Sequence, residues 1–194
     1  MFHLQRGVVL SLYEQIEHYA PGCEQEARDQ QQMLRFMREH DDCLSRDNLV
    51  AHMTTSIWTV NPQRTRTLLV YHNIYDSWSW IGGHADGSPN LHAVALRELA
   101  EETGVRNARL VSDDIFSLET LTVAGHVRRG IYVPCHLHFN VTYLAEARED
   151  QPLKHKADEN QAVRWWALDD VATASTEPWM VAHVYQKLIE RTRW

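Results

Sequence analysis

Residues 83–105 read Gly83-His84-Ala85-Asp86-Gly87-Ser88-Pro89-Asn90-Leu91-His92-Ala93-Val94-Ala95-Leu96-Arg97-Glu98-Leu99-Ala100-Glu101-Glu102-Thr103-Gly104-Val105. The spacing predicts a helix from about Asn90 to Thr103, with Gly104 as the residue that ends it. On that helix Glu98, Glu101 and Glu102 stand at i, i+3 and i+4, so three carboxylates crowd one face. Like charges at this spacing destabilise a helix unless something positive sits between them. A hard dication answers that need, because Mg²⁺ or Mn²⁺ takes oxygen ligands and also bridges to phosphates. Ala93, Leu96 and Ala100 on the opposite side are suited to lie on a sheet.

Working outward, the residues before this helix read as strands. Ser56 to Val60, a turn at Asn61-Pro62-Gln63-Arg64 and Thr67 to Tyr71 make a hairpin. Trp78-Ser79-Trp80-Ile81-Gly82-Gly83 reads as a short strand running into a glycine turn. After the helix, Ala108 to Leu118, Pro134 to Tyr143 and Ala162 to Ala167 are further strands. Thr176-Glu177-Pro178 opens a last helix. Strands, a helix, more strands and a final helix imply a mixed sheet between helices. Residues 1–48 differ: Val8 to Tyr19 and Glu24 to His40 have helical periodicity, broken at Pro21-Gly22. Two short helices bury little alone, so they must pack on the main domain or on a second subunit.

The stretch at 83–105 resembles the Nudix box: Gly, five residues, Glu, seven residues, then Arg-Glu-apolar-any-Glu-Glu-any-Gly-apolar. Gly83 stands fourteen residues before Arg97, and the run from Arg97 to Val105 matches at every fixed position. The sequence departs from the pattern at Pro89, which stands where the early Glu is called for. The resemblance covers roughly residues 50–190. It implies an α/β fold, the Nudix α/β/α sandwich with a mixed sheet, over residues 49–194, preceded by an N-terminal helical extension, 1–48. It also implies hydrolysis of a phosphoanhydride bond in a nucleoside diphosphate derivative or related pyrophosphate.

On that resemblance Glu98, Glu101 and Glu102 are the metal and acid–base carboxylates, and the Gly82 carbonyl lies at the same Mg²⁺ or Mn²⁺. Gly83, Arg97 and Gly104 are structural in the box, with Arg97 steadying a neighbouring Glu through a charge-assisted bond. A loop Glu late in the domain serves as base in several members. Asp158-Glu159-Asn160 offers Glu159 here, though an acidic turn explains the same residues. The lost Glu at Pro89 weakens the catalytic inheritance but leaves the fold, since a helix-start Pro lacks only an orphan N–H. Asp86 could replace that carboxylate, but a turn-forming Asp before Gly87 is the simpler account.

Histidine is the second unusual feature, with 12 in 194 residues. His136 and His138 alternate on a strand, so both rings point to one face, and His84 follows the glycines directly. Together with His52 they resemble the layout of type 1 isopentenyl-diphosphate isomerases, where histidines and two strand carboxylates hold a metal. The Cys-rich active-site motif of those enzymes is absent, so isomerase chemistry is not expected. The second reading is a His-ligated metalloenzyme of that layout, with His52, His84, His136 and His138 as a candidate second metal or phosphate site, set against ordinary surface or hydrogen-bonded core histidines; imidazole favours Zn²⁺ or Fe²⁺ over Mg²⁺. A third reading is a catalytically silent, Nudix-like binding or regulatory domain.

The rest of the composition sets bounds. A net charge of −7 argues against nucleic-acid polymers and membrane surfaces as partners. A small pyrophosphate or nucleotide remains open if metal neutralises the charge locally. Cys23, Cys43 and Cys135 are odd in number and lack metal spacing, so they read as thiols in a reducing compartment. With no signal-peptide pattern and no span of membrane length, the expected place is the cytoplasm. A homodimer through the N-terminal helices or a swapped strand is compatible with the pattern. Trp78, Trp80, Trp165 and Trp166 read as core or as base-stacking platforms. Arg128, Arg129, Lys154 and Lys156 fall in loops that could reach phosphates.

Overall fold

The structure, a computed structural model, describes residues 10–128 and 130–193. Val8 and Val9, at the start of the first expected helix, lie outside the described residues, as do Arg129 and Trp194. Two helices come first, α1 (Leu12–His18) and α2 (Glu24–Glu39). Ser11 opens α1 with a capping box: its hydroxyl accepts from Glu14 N (3.3 Å) while its own N–H donates to Glu14 Oε2 (2.7 Å).

The centre of the molecule is a parallel pair, β1 (Ala51–Val60) and β9 (His136–Ala147). They run together from Ala51 opposite Leu137 to Val60 opposite Glu146. All of β1 is buried, as a strand covered on both faces must be. Two antiparallel strands share each outer side of this pair. Beside β1 these are β2 (Arg66–His72) at the Val60 end and β4 (Ile81–His84) opposite Thr54 to Ile57. Beside β9 they are β5 (Ala108–Leu110) and β6 (Ser117–Val123). β3 (Ser77–Ser79) and β10 (Asn160–Ala167) pair with β2, completing an eight-stranded mixed sheet.

Strand alternation sends odd and even residues of β1 to different helical layers. Met53 and Ile57 join Val141 and Tyr143 in a core with Leu91, Ala95 and Leu99 of α3 (Leu91–Thr103) and with Leu12, Ile16 and Met33. Trp58 and Val60 join Leu144 in a second core against Val184, Tyr185 and Leu188. These last belong to a helical run of α5 (Pro178–Met180), a π turn over Val181–Tyr185 and α6 (Gln186–Thr192), preceded by α4 (Val171–Ala174). Helices on both faces of a mixed sheet are the expected α/β/α sandwich.

The N-terminal helices pack on the main domain. Glu26 of α2 is fully buried, with Oε2 2.6 Å from Arg191 Nη2 and Oε1 3.1 Å from Lys187 Nζ. Lys187 also stands 3.1 Å from the buried Glu119 of β6. Two anions and two cations thus tie α2, the sheet and α6 together.

Several local expectations are corrected. Ala108–Leu118 is not one strand: a turn stabilised by Ser112 Oγ, which donates to Asp114 Oδ2 (2.6 Å), carries the chain between two levels of β9. The hairpin of β7 (His126–Arg128) and β8 (Ile131–Val133) was not anticipated, because its apolar Val127, Ile131 and Tyr132 are exposed and show no burial alternation. Gly82 and Gly83 lie in β4, not in a turn. Among the described residues no helix is long and apolar enough to cross a membrane.

Candidate active site

Helix α3 presents the carboxylates differently from the helical-wheel expectation. Its inward face is Leu91, Val94, Ala95, Leu99 and Glu102, while Ala93 is exposed and Leu96 and Ala100 are half-buried. The i, i+4 pair Glu98 and Glu102 shares this inward stripe, and Glu101 points outward. The helix therefore buries carboxylates where an apolar face was expected. Pro89 sits before the N-cap Asn90, whose side chain accepts from Ala93 N (3.1 Å), so it is not the first helical residue. Gly104 ends the helix at φ 77°, a left-handed geometry that glycine adopts without strain.

Glu102 is only 3% exposed. Its Oε1 accepts from Gly82 N–H (3.3 Å) and its Oε2 from Asn160 Nδ2 (2.8 Å). Both donors are neutral. Burial pushes its carboxyl up to about 8; the two hydrogen bonds offset this in part, and Glu159 and Glu98 add to the rise. Glu98 is likewise raised by burial, against the pull of Arg97, whose Nη2 lies 2.9 Å from Glu98 Oε1. A Cβ on Gly83 would stand 2.5 Å from Glu98 Cδ, so the missing side chain is what lets this carboxylate lie on β4. Gly83 thus permits a close approach of Glu98 from a strand rather than a turn.

Glu101 is half-exposed, 3.8 Å from Arg97 Nε and 4.0 Å from Lys156 Nζ. Lys156 also holds Glu159 Oε1 at 2.9 Å. Arg97, Arg106, Lys154, His155 and Lys156 line a cleft of about 630 Å³ beside Glu101. Asn160, Arg106 and His155 escaped the sequence reading. Asn160 directly follows Glu159, but a lone Asn carries no signal that it will hold a helix carboxylate across 58 residues.

Asp86 pairs with Arg46 rather than with the helix carboxylates. Ala85 O accepts from Ser88 N (2.9 Å), with Asp86 at φ 47° and Gly87 at φ 85°, a type I′ turn. Its carboxylate takes a bidentate bond from Arg46, at 2.6 Å on each oxygen. The simpler account of Asp86 is what the geometry shows.

The histidines do come together. His52 stands opposite His138 in the β1–β9 register, and His84 opposite Thr54. One ring nitrogen from each of His52, His84 and His138 lies within 4.8 Å of the others. His136 joins through a 3.2 Å contact between its Nε2 and His138 Nε2. Burial, then His84, His52 and His136, push His138 down to about 2, so the ring is neutral. Among the described residues Glu98, Glu101 and Glu102 form no donor set as tight as this one.

Trp78, Trp80, Trp165 and Trp166 are core elements. Trp165 is buried, and Trp78, Trp80 and Trp166 pack on the second core; Trp166 meets Trp78 edge-on and lies 4.4 Å beneath the Arg164 guanidinium.

The NUDIX domain family profile matches residues 50–190. This chain belongs to the Nudix hydrolase family. Solved structures with this fold include a MutT protein from Methanosarcina mazei Go1, at TM-score 0.55 and 16% identity over 74% of this chain and 94% of that one. A C. elegans Ap4A hydrolase matches at TM-score 0.51 and 18% identity over 74% and 95%. The E. coli dihydroneopterin triphosphate pyrophosphohydrolase matches at TM-score 0.52 and 12% identity over 71% and 92%. At these identities the likeness to this Nudix chain is one of fold. No curated protein matches the sequence.

Proposed function

We propose that this Nudix protein hydrolyses a phosphoanhydride bond in a nucleoside diphosphate derivative or related small pyrophosphate. Glu98, Glu101, Glu102 and the Gly82 carbonyl would hold Mg²⁺ or Mn²⁺. The observation that carries the reading is Glu102, a buried carboxylate raised to about 8 with only neutral donors on it. Such a group lacks a positive partner, and the ligand atoms proposed beside it (the Glu98 and Glu101 carboxylates and the Gly82 carbonyl) are all oxygens, which suits a hard dication. When bound there, the ion would make a coordinated water more acidic and offset charge on phosphate oxygens.

The chain's own residues supply the rest. Arg106, Lys154 and Lys156 in the cleft attract the phosphates that the net negative surface would otherwise repel. Arg97 keeps Glu98 in place. Glu159, bonded to Lys156, is the candidate base: a phosphate that draws Lys156 off would release its carboxylate to take a proton from the attacking water. Cys23, Cys43 and Cys135 are free, which suits the reducing cytoplasm.

The test is turnover against nucleotide sugars, ADP-ribose, dinucleoside polyphosphates and modified dNTPs, each with Mg²⁺ and with Mn²⁺. Hydrolysis of at least one is expected, and Glu98→Gln should lower kcat about 10³-fold through lost transition-state charge stabilisation. A folded wild-type protein inert towards every pyrophosphate, with either metal, would sink the reading.

A further inference from the structure

We infer that His52, His84 and His138 form a binding site for a first-row transition-metal dication of the Zn²⁺ or Fe²⁺ type, with His136 as a positioning residue. The inference does not depend on the hydrolase reading, since its donors are nitrogens and none of them is a box carboxylate.

Position comes first. Three rings from three adjacent strands meet on one face of the sheet, with a ligand atom from each within 4.8 Å of the others. An occupied tetrahedral Zn²⁺ site holds its nitrogens ~3.3 Å apart, a difference that small side-chain rotations close. Ring centroids already lie 5.1 Å apart for His52–His84, 4.9 Å for His52–His138 and 5.0 Å for His84–His138.

Tautomers come second. His52 Nδ1 lies 3.1 Å from the Asn48 carbonyl. A carbonyl only accepts, so Nδ1 carries the hydrogen and Nε2 keeps its lone pair. That Nε2 is buried, and no hydrogen-bond partner reaches it. His52 is itself 3% exposed, so bulk solvent does not reach the unused acceptor. An imidazole fixed by a backbone carbonyl through one nitrogen, with the other left bare, is how proteins prepare a metal ligand.

The same logic gives His136 its part. Its Nδ1 lies 2.9 Å from the Pro134 carbonyl and so donates there. A neutral His136 then offers an Nε2 lone pair, 3.2 Å from His138 Nε2. His138 donates to it, which leaves His138 Nδ1 as the free acceptor. Arg46, whose charge is felt at His52, is already neutralised by its bidentate bond to Asp86. Imidazole donors without a carboxylate select borderline ions over Mg²⁺, and three protein ligands leave a position for water or a phosphate oxygen.

The full chain, stripped with a chelator and dialysed, is titrated with Zn²⁺ and with Co²⁺, reading bound metal by elemental analysis and Co²⁺ coordination by visible absorption. One ion per chain is expected, with the intense visible bands of a nitrogen-ligated tetrahedral or five-coordinate Co²⁺. His138→Gln and His84→Gln should each weaken binding ~100-fold or more, and His136→Gln about tenfold. Glu98→Gln should leave the Zn²⁺ affinity unchanged, which separates this site from the carboxylate centre. Two outcomes overturn the inference: a folded wild type that takes up no Zn²⁺ or Co²⁺, or uptake that survives folded His84→Gln and falls with Glu98→Gln.

Discussion

Glu26 and Glu102 are both carboxylates buried to a few percent exposure or less, yet their environments push them in opposite directions. Burial alone would raise both. At Glu26 the Arg191 bond, the Lys187 charge and the Gly22 N–H outweigh it and hold the group at about 2. At Glu102 the donors are a backbone N–H and an Asn amide, the nearby charges are Glu98 and Glu159, and the group rises to about 8. A buried anion whose countercharges are supplied by the chain is a fastening. One left without them would, on the function proposed above, take its countercharge from a bound cation.

The contrast can be broken most severely at Glu26. Glu26→Ala leaves Arg191 without its buried carboxylate and Lys187 with Glu119 alone, and should cost about 3–5 kcal/mol of stability, read by urea denaturation. Glu102→Gln should go the other way in chelator-treated protein, raising stability by about 1–3 kcal/mol at pH 9. The sign follows from its raised value: wild-type stability falls as pH climbs from about 4.5 through about 8, and Gln removes that slope. A wild-type denaturation midpoint that is flat from pH 5 to 9, with chelator present, would contradict it.

Glu26 sets the acid limb instead. Its lowered value means that its contribution is complete above about 4.5 and is lost as pH falls towards about 2, so Glu26→Gln should flatten that limb. The smallest effect is expected at Arg97, half-exposed against Glu98. Arg97→Ala should change stability by less than about 1 kcal/mol, while lowering turnover several-fold as Glu98 loses its orientation.

How much of this contrast was readable in the chain differs between the two residues. The run Arg97 to Val105 carries its meaning in fixed spacing, which specifies the fold and singles out Glu102 as a candidate. The inward rotation of Glu98 and Glu102 was not readable, because a helical wheel places Leu and Ala on the sheet and cannot know that glycines on β4 make room for carboxylates. Glu26 gave no signal at all. It sits in a polar, glutamine-rich helix, and its partners Lys187 and Arg191 lie more than 160 residues away. The histidines fall between: His136 and His138 were paired by alternation, while His52 reaches them only through the parallel register of β1 and β9.

That parallel pairing has a kinetic consequence. The hydroxyl of Thr55 bonds the carbonyl of Val141 across 86 residues, and the whole central ladder has separations of this kind. Closing so large a loop costs entropy before any contact rewards it, which slows folding. On the ribosome, β1 must wait unpaired on that side until β9 has been made, with Ile57 and Trp58 among its apolar residues. Early helices can form meanwhile, but Glu26 stays without its cations until the last turns emerge. The growing chain is therefore most exposed to aggregation before β9 appears, and α6 is the last piece that locks it.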